Sequence, residues 1–259
     1  MAKKRIEELE IVNYEYLNKE YFTLELKSNR KLPDIHPGQF VELRINGHHH
    51  VFLRRPFSFH DINTGKNTFT LLIQIVGQGT SDLSRIRAGD TLNTIYPLGN
   101  SFTIPENGNY LLVGGGCGVA PLLLLARKLL QFNNTVHFLI GTKTKNDLIE
   151  IDLYKQLGNV NITTEDGSEG EKGFVIHHPV LWDESIEFDG IYTCGPEDMM
   201  KAISKYALKR GINCEVSLEN MMACGIGACL CCVTETIKGN VCVCTEGPVF
   251  NSGDLKWQI

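Results

Sequence analysis

A chain of 259 residues is long enough to bury more than one substantial core. Its formal charge of −5 and pI near 5.9 leave no basic footprint, which argues against nucleic acid or an anionic membrane surface as partner. No stretch approaches about eighteen uninterrupted apolar residues, and the opening MAKKRIEELEIVNYEY lacks the apolar run and small-residue site of a secretory signal, so a reducing cytoplasm is the expected setting. The first hundred or so residues favour short strands. Tyr21–Leu26 alternates, Pro37–Leu43 reads as a turn into a strand, and Thr68–Val76 is rich in β-formers, with Gly and Pro punctuating between them. Several short strands of this kind predict a small antiparallel β-barrel over residues 1–102. From Phe102 the pattern changes. A buried-type strand at Tyr110–Val113, a helix over Pro121–Gln131, a strand at Val136–Ile140 and another at Gly190–Thr193 with a helix after it predict a parallel α/β unit over 103–216. Residues 217–259 lose periodicity and read as a Cys- and Gly-rich loop system. The expected fold is therefore multidomain α+β.

Six of the nine cysteines lie between 224 and 244. An odd total in a chain expected to stay reduced fits disulfides poorly and raises metal or cluster ligation. Cys224, Cys229 and Cys232 form C-x₄-C-x₂-C, with Cys244 further on, which is the plant-type [2Fe–2S] spacing. The small residues Gly225, Gly227 and Ala228 let backbone N–H groups approach the sulfurs of an anionic cluster. A structural zinc site built from Cys229, Cys232, Cys242 and Cys244 is the competing reading. Cys231 also offers an alternative register, C-x₄-C-x-C, which matches less well.

A second signal comes after the Tyr110–Val113 strand, where Gly114-Gly115-Gly116-Cys117-Gly118-Val119-Ala120-Pro121 opens into a helix. Such a turn lets backbone approach a pyrophosphate at a helix N-terminus. It is not the strict G-x-G-x-x-G fingerprint, and Gly141-Thr142-Lys143 stands where an acidic residue would end the next strand. An unliganded tight turn is the plain alternative. Thr193-Cys194-Gly195-Pro196, ending a later strand, favours the dinucleotide reading because carboxyl strand ends line the crevice of a parallel sheet. The third signal is Arg54-Arg55-Pro56-Phe57-Ser58 with, further along, Gln74 through Thr80, where an arginine fork and a Gly79-Thr80 turn can bind phosphate. Taken blandly, these are a solvated face and a hairpin turn. His48-His49-His50, after Asn46-Gly47, reads as a polar hairpin loop rather than a metal site. Asp166 through Gly173 reads as a surface turn or a ribose contact.

In combination, Arg-Pro-x-Ser, Gly-Thr, Pro-Leu-Gly-x-x-Phe, Gly-Gly-Gly-x-Gly-x-Ala-Pro, Cys-Gly-Pro and a C-terminal cluster loop resemble the ferredoxin–NADP reductase superfamily. Met222–Cys229 and Cys244–Phe250 resemble the electron-transfer subunits of type B dihydroorotate dehydrogenases within it. The resemblance covers essentially the whole chain. It implies an FAD site, with Arg55 on the pyrophosphate, Pro56, Phe57 and Ser58 along the flavin, Leu72, Ile73 and Gln74 lining it, and Gly79 and Thr80 on phosphate. Phe57 replaces a common tyrosine, keeping the aromatic face and losing a hydroxyl. It implies an NAD site at Gly114, Gly115, Gly116, Gly118, Ala120, Pro121, Cys194, Gly195 and Pro196, and a [2Fe–2S] cluster on Cys224, Cys229, Cys232 and Cys244. The implied partner is an FMN-containing dihydroorotate dehydrogenase catalytic subunit, two of each forming a heterotetramer. No acid–base residue for substrate oxidation is evident in this chain. The same machine serving a ferredoxin or glutamate-synthase-like partner, and a non-catalytic zinc-stabilised module, are the alternatives.

Overall fold

The computed structural model describes residues 4–45 and 52–257, so the His48-His49-His50 segment lies outside the described residues. The N-terminal part is a seven-stranded antiparallel sheet made of β1 (Arg5–Tyr16), β2 (Tyr21–Lys27), β3 (Phe40–Leu43), β4 (Arg55–Ser58), β5 (Asp61–Asn63), β6 (Thr68–Gln74) and β7 (Thr91–Leu98). They run in the order β4-β3-β7-β1-β2-β6-β5 and curl as a half-barrel. Its core is Leu9, Phe22, Leu24, Val41, Leu43, Phe69, Leu71 and Tyr96 with their neighbours. β2 shows little of the alternation expected of it, because its other face is also covered; Tyr21 through Leu24 are all buried. Gly77–Thr80, expected as a turn, instead opens a short helix, α1 (Gln78–Leu83). There the Thr80 hydroxyl accepts from the Val76 and Gly77 N–H groups at 2.9 and 3.2 Å and so caps the first turn.

The second sheet contains β8 (Asn109–Gly115), β9 (Thr135–Thr142), β10 (Asn159–Thr164), β11 (Glu171–Lys172), β12 (Gly190–Cys194) and β13 (Asn213–Ser217), all parallel. Successive β8 residues serve opposite layers. Leu111 and Val113 enter the core under α4 (Glu197–Arg210), while Tyr110 and Leu112 pack under α2 (Ala120–Leu130). A parallel strand covered on both faces reads as a continuous apolar run for this reason. α2 begins with Pro121 in its first turn, where a missing N–H costs nothing, and ends with Arg127 and Lys128 beside its carbonyls. α4 has Glu197 and Asp198 at its start, Lys209 and Arg210 at its end, and Gly211 as a left-handed cap. A five-residue helix, α3 (Ile151–Lys155), precedes β10.

The cysteine segment is more structured than a loop system. Val233–Thr236 (β14) and Gly239–Cys242 (β15) form a hairpin, Val243–Glu246 (α5) comes next, and Val249–Asn251 (β16) joins the parallel sheet antiparallel to β13. The full order is β11-β10-β9-β8-β12-β13-β16. The chain thus moves outward from β8 in one direction through β9 and β10, then returns to build β12 and β13 on its other side. That reversal opens a crevice at the carboxyl ends of β8 and β12. Among the described residues no helix is long and apolar enough to cross a membrane.

Candidate functional site

A cleft of about 700 Å³ lies over the switch point. The barrel contributes Tyr21 and Gln74 to it, and the second sheet contributes Gly115 through Gly118, Gly141, Pro196 and Met199. Gly114 and Gly115 end β8, Gly116–Val119 makes one tight helical turn, and Ala120-Pro121 starts α2. The glycine turn and the Cys194-Gly195-Pro196 loop are in direct contact. A β-carbon on Gly118 would overlap the Cys194 carbonyl, so only glycine allows the two loops to meet. The two segments singled out by sequence are therefore one surface.

Glu219 also lines this cleft, and no spacing signal pointed to it. Its carboxyl accepts from the Cys194 thiol at 3.7 Å; burial pushes its pKa up, and that hydrogen bond draws it part of the way back. The Cys117 thiol donates to the Leu72 carbonyl at 3.9 Å and is pushed up to about 12, first by burial and then by Glu219. Both cysteines are held as neutral thiols, so neither is an activated nucleophile.

The barrel residues expected at the flavin fall on two strands. Arg55, Pro56, Phe57 and Ser58 are the whole of β4, all half-buried, at one edge of the sheet. The arginine fork does not act as a unit. Arg54 is turned to β7, where its guanidinium donates to the Asn93 backbone carbonyl at 2.9 Å and to the Asn93 side-chain oxygen. Among the described residues, Arg55 donates through Nη1 to the nearby Leu53 and Arg54 carbonyls, and its other guanidinium donors can serve an anion. Phe57 packs against the barrel core. Along β6, Leu72 joins Tyr21 in the layer below α2, Ile73 enters the barrel core, and Gln74 faces the cleft. The alternation of a strand thus gives Leu72 and Gln74 one face and Ile73 the other. Gly79 and Thr80 lie in the first turn of α1, where the Thr80 hydroxyl is already engaged and the backbone N–H groups remain the donors for an outside acceptor. Asp166 caps the N–H and hydroxyl of Ser168 in an exposed turn.

The cysteines are arranged in two pairs. Cys229 acts electrostatically on Cys224, and Cys232 on Cys244. Backbone donors reach the sulfurs from the glycine-rich stretch. The Gly227 N–H donates to Cys244 Sγ at 3.1 Å and the Ala228 N–H to Cys224 Sγ at 3.3 Å, while the Cys244 N–H donates to Cys232 Sγ at 3.4 Å. Burial pushes Cys224 up, but N–H groups of Ile226, Cys229 and Ala228 outweigh it and bring the thiol down to about 7. Burial and the Cys232 contact raise Cys244 to about 12. Cys232 and Cys244 are buried, whereas Cys229 and Cys231 are exposed and Cys242 is half-buried. Among the described residues no three His, Cys, Asp or Glu side chains converge on a single point. Two thiol pairs with N–H donors fit a binuclear cluster, in which each iron takes two cysteines.

Comparison with known proteins agrees with this geometry. The model of the iron–sulfur cluster binding domain of dihydroorotate dehydrogenase B matches residues 219–256, and that of the oxidoreductase NAD-binding domain matches residues 112–205. Among curated relatives, the dihydroorotate dehydrogenase B (NAD(+)) electron transfer subunit of Shouchella clausii is 36% identical over 98% of this chain and 99% of its own. The one from Caldanaerobacter subterraneus subsp. tengcongensis is 42% identical over 83% of this chain and 85% of its own. Among solved structures, one reported as "Insights into flavin-based electron bifurcation via the NADH-dependent reduced ferredoxin-NADP oxidoreductase structure" superposes with a TM-score of 0.87 at 31% identity, covering 96% of this chain and 90% of that one. The "Ferredoxin reductase in carbazole 1,9a-dioxygenase", with a TM-score of 0.70 at 22% identity over 81% of this chain and 67% of that one, shares the fold. The chain belongs to the family of dihydroorotate dehydrogenase B (NAD(+)) electron transfer subunits.

Proposed function

We propose that this chain is the electron-transfer subunit of a dihydroorotate dehydrogenase. It links oxidation of dihydroorotate in a separate FMN-containing subunit to reduction of NAD⁺, through a [2Fe–2S] cluster and FAD, in pyrimidine biosynthesis. The observation that carries the reading is the placement of the paired thiols. They lie on a segment that begins beside Glu219 of the cleft and returns as the edge strand of the same sheet. When bound, FAD exchanges a hydride with NAD and single electrons with an iron–sulfur cluster.

The residues divide the work by position. Cys224 and Cys229 would hold one iron and Cys232 and Cys244 the other, with the Gly227 and Ala228 N–H groups stabilising sulfur charge. Arg55 and the first turn of α1 at Gly79-Thr80 would hold the flavin pyrophosphate, with Pro56, Phe57, Ser58, Leu72 and Gln74 shaping its site and Ile73, whose side chain enters the barrel core, offering it only backbone. Gly114, Gly115, Gly116, Gly118, Ala120, Pro121, Cys194, Gly195 and Pro196 would receive NAD at the switch point. Division into a flavin barrel at 1–102, a nucleotide unit at 103–216 and a cluster segment at 217–259 belongs to the same proposal, as does a cytoplasmic heterotetramer with two copies of each subunit. Met221, Ile226 and Leu230 are exposed beside the cysteines, a surface suited to the catalytic partner.

Metal and flavin analysis of anaerobically purified protein tests the reading: it predicts one FAD and two irons per chain. Zinc in place of iron, or no flavin after gentle purification, would overturn it. The likeness to the NADH-dependent ferredoxin–NADP oxidoreductase structure favours a second reading, service to a ferredoxin-type partner. Dihydroorotate-dependent NAD⁺ reduction with the FMN subunit separates the two.

A further inference from the structure

β3 carries one residue that does not suit its surroundings. Val41 and Leu43 enter the barrel core, while Phe40, on the opposite face, joins the core that contains Met222, Cys232 and Cys244. Glu42 shares Phe40's face by the two-residue period of the strand and is 0% exposed. Neither of its carboxyl oxygens has a hydrogen-bond partner among the described residues. Burying a carboxyl without partners is costly, and an apolar residue would fill the position without that cost.

The carboxyl lies against the cysteine loop. A β-carbon built on Gly225 would stand 2.6 Å from Glu42 Cδ and 2.8 and 2.9 Å from its two oxygens. Gly225, with φ +64°, is the residue after Cys224, so the absence of a side chain there is what lets the loop settle onto the carboxyl. Across the sheet, Glu42 pairs with Pro56 of β4 and with Ile95 of β7. It therefore stands between the strand assigned to the flavin and the loop assigned to the cluster. Burial pushes the Glu42 carboxyl above the usual carboxylate range, and the Arg54 guanidinium, which gives its own hydrogen bonds to Asn93, draws it part of the way back.

We propose that Glu42 is a positioning residue for electron transfer, whose buried carboxyl against the Gly225 backbone holds the reduction potential of the cluster down when it is ionised, the positive charge of Arg54 favouring that ionised form. The proposal rests on the cluster reading given above. A negative charge in a poorly polarisable site disfavours adding an electron to an already anionic cluster, and net charge is among the factors that set such potentials.

The test is an EPR-monitored redox titration of the whole chain carrying FAD and cluster, with iron and flavin measured on the same samples. Glu42→Gln, close in shape but uncharged, is expected to move the cluster potential to more positive values, and Glu42→Asp to leave it near wild type, a pairing that a purely structural role would not produce. If Glu42→Gln fails to hold iron, the same titration of Glu42→Met, uncharged and of similar length, decides, with the same positive shift expected. Unchanged potentials, shifts to more negative values, or loss of iron from both uncharged variants with flavin retained would overturn the proposal and leave Glu42 a folding residue of the loop. Wild-type protein without iron would instead overturn the cluster reading itself, and this inference with it.

Discussion

Cys231 and Cys232 are neighbours with the same side chain, and their surroundings separate them. Cys232 is 2% exposed, its carbonyl accepts from the Val243 N–H at 3.0 Å, and its sulfur accepts from the Cys244 N–H, whereas Cys231 faces solvent. Cys232→Ser is therefore expected to abolish the cluster and Cys231→Ser to keep it, as read by iron content and visible absorption; the reverse would move the third ligand to Cys231. The proposed function gives Arg55 a comparable role at the flavin. A charge-assisted bond to phosphate is worth about 1.5–3 kcal/mol, so Arg55→Ala should weaken FAD affinity roughly ten- to a hundredfold, measured by titrating apoprotein with flavin. Unchanged affinity would return Arg55 to a solvated face. The proposed cysteine ligands were legible in the sequence because C-x₄-C-x₂-C is a local spacing. Glu42 and Glu219 were not, because what singles them out is contact with segments distant in sequence, and the fork at Arg54-Arg55 concealed that Asn93 would take one of the two.

At the scale of elements, the turn between β8 and α2 and the loop after β12 form a single unit because Gly118 brings them together. Gly118→Ala should push them apart, costing about 1–3 kcal/mol as an overpacked site does. Thermal unfolding should show the loss, and NADH-dependent reduction of an artificial acceptor should show a raised KM. Normal stability with normal kinetics would mean that the loops can separate freely. The strands and helices around this junction were legible because buried parallel strands and their helices carry long apolar signals. Others were hidden for physical reasons. β2 is buried on both faces and so loses its alternation, and β16 has three residues and no measurable period. Gly77–Thr80 has the composition of a turn, and only the residues up to Leu83 make it the start of a helix. The hairpin β14–β15 was hidden although Val233, Thr234 and Thr236 are β-formers, because its strands have four residues each and lie between cysteines that drew the reading toward a loop.

For the molecule as a whole, the two sheets and the cysteine segment share cores. Phe40 and Leu98 of the barrel pack with Cys232 and Cys244, and Tyr21 and Leu72 pack with α2. Polar pairs cross the same seam: His60 Nε2 lies 3.0 Å from a Glu150 carboxyl oxygen, and Arg127 meets Asp61 at 3.4 Å. Such a seam keeps the proposed cofactor sites at fixed separations, which relay by close approach requires. The proposed function divides the labour between this chain and its partner. The isolated chain should reduce artificial acceptors with NADH and leave dihydroorotate untouched. The most direct test is to mix the purified chain with the proposed FMN-containing catalytic subunit and monitor NADH formation from dihydroorotate and NAD⁺. The account predicts activity only when both are present, abolished by Cys224→Ser while much of the NADH–acceptor activity survives. Oxidation of dihydroorotate by this chain alone, or normal NAD⁺ reduction by the assembled pair without a cluster, would contradict it.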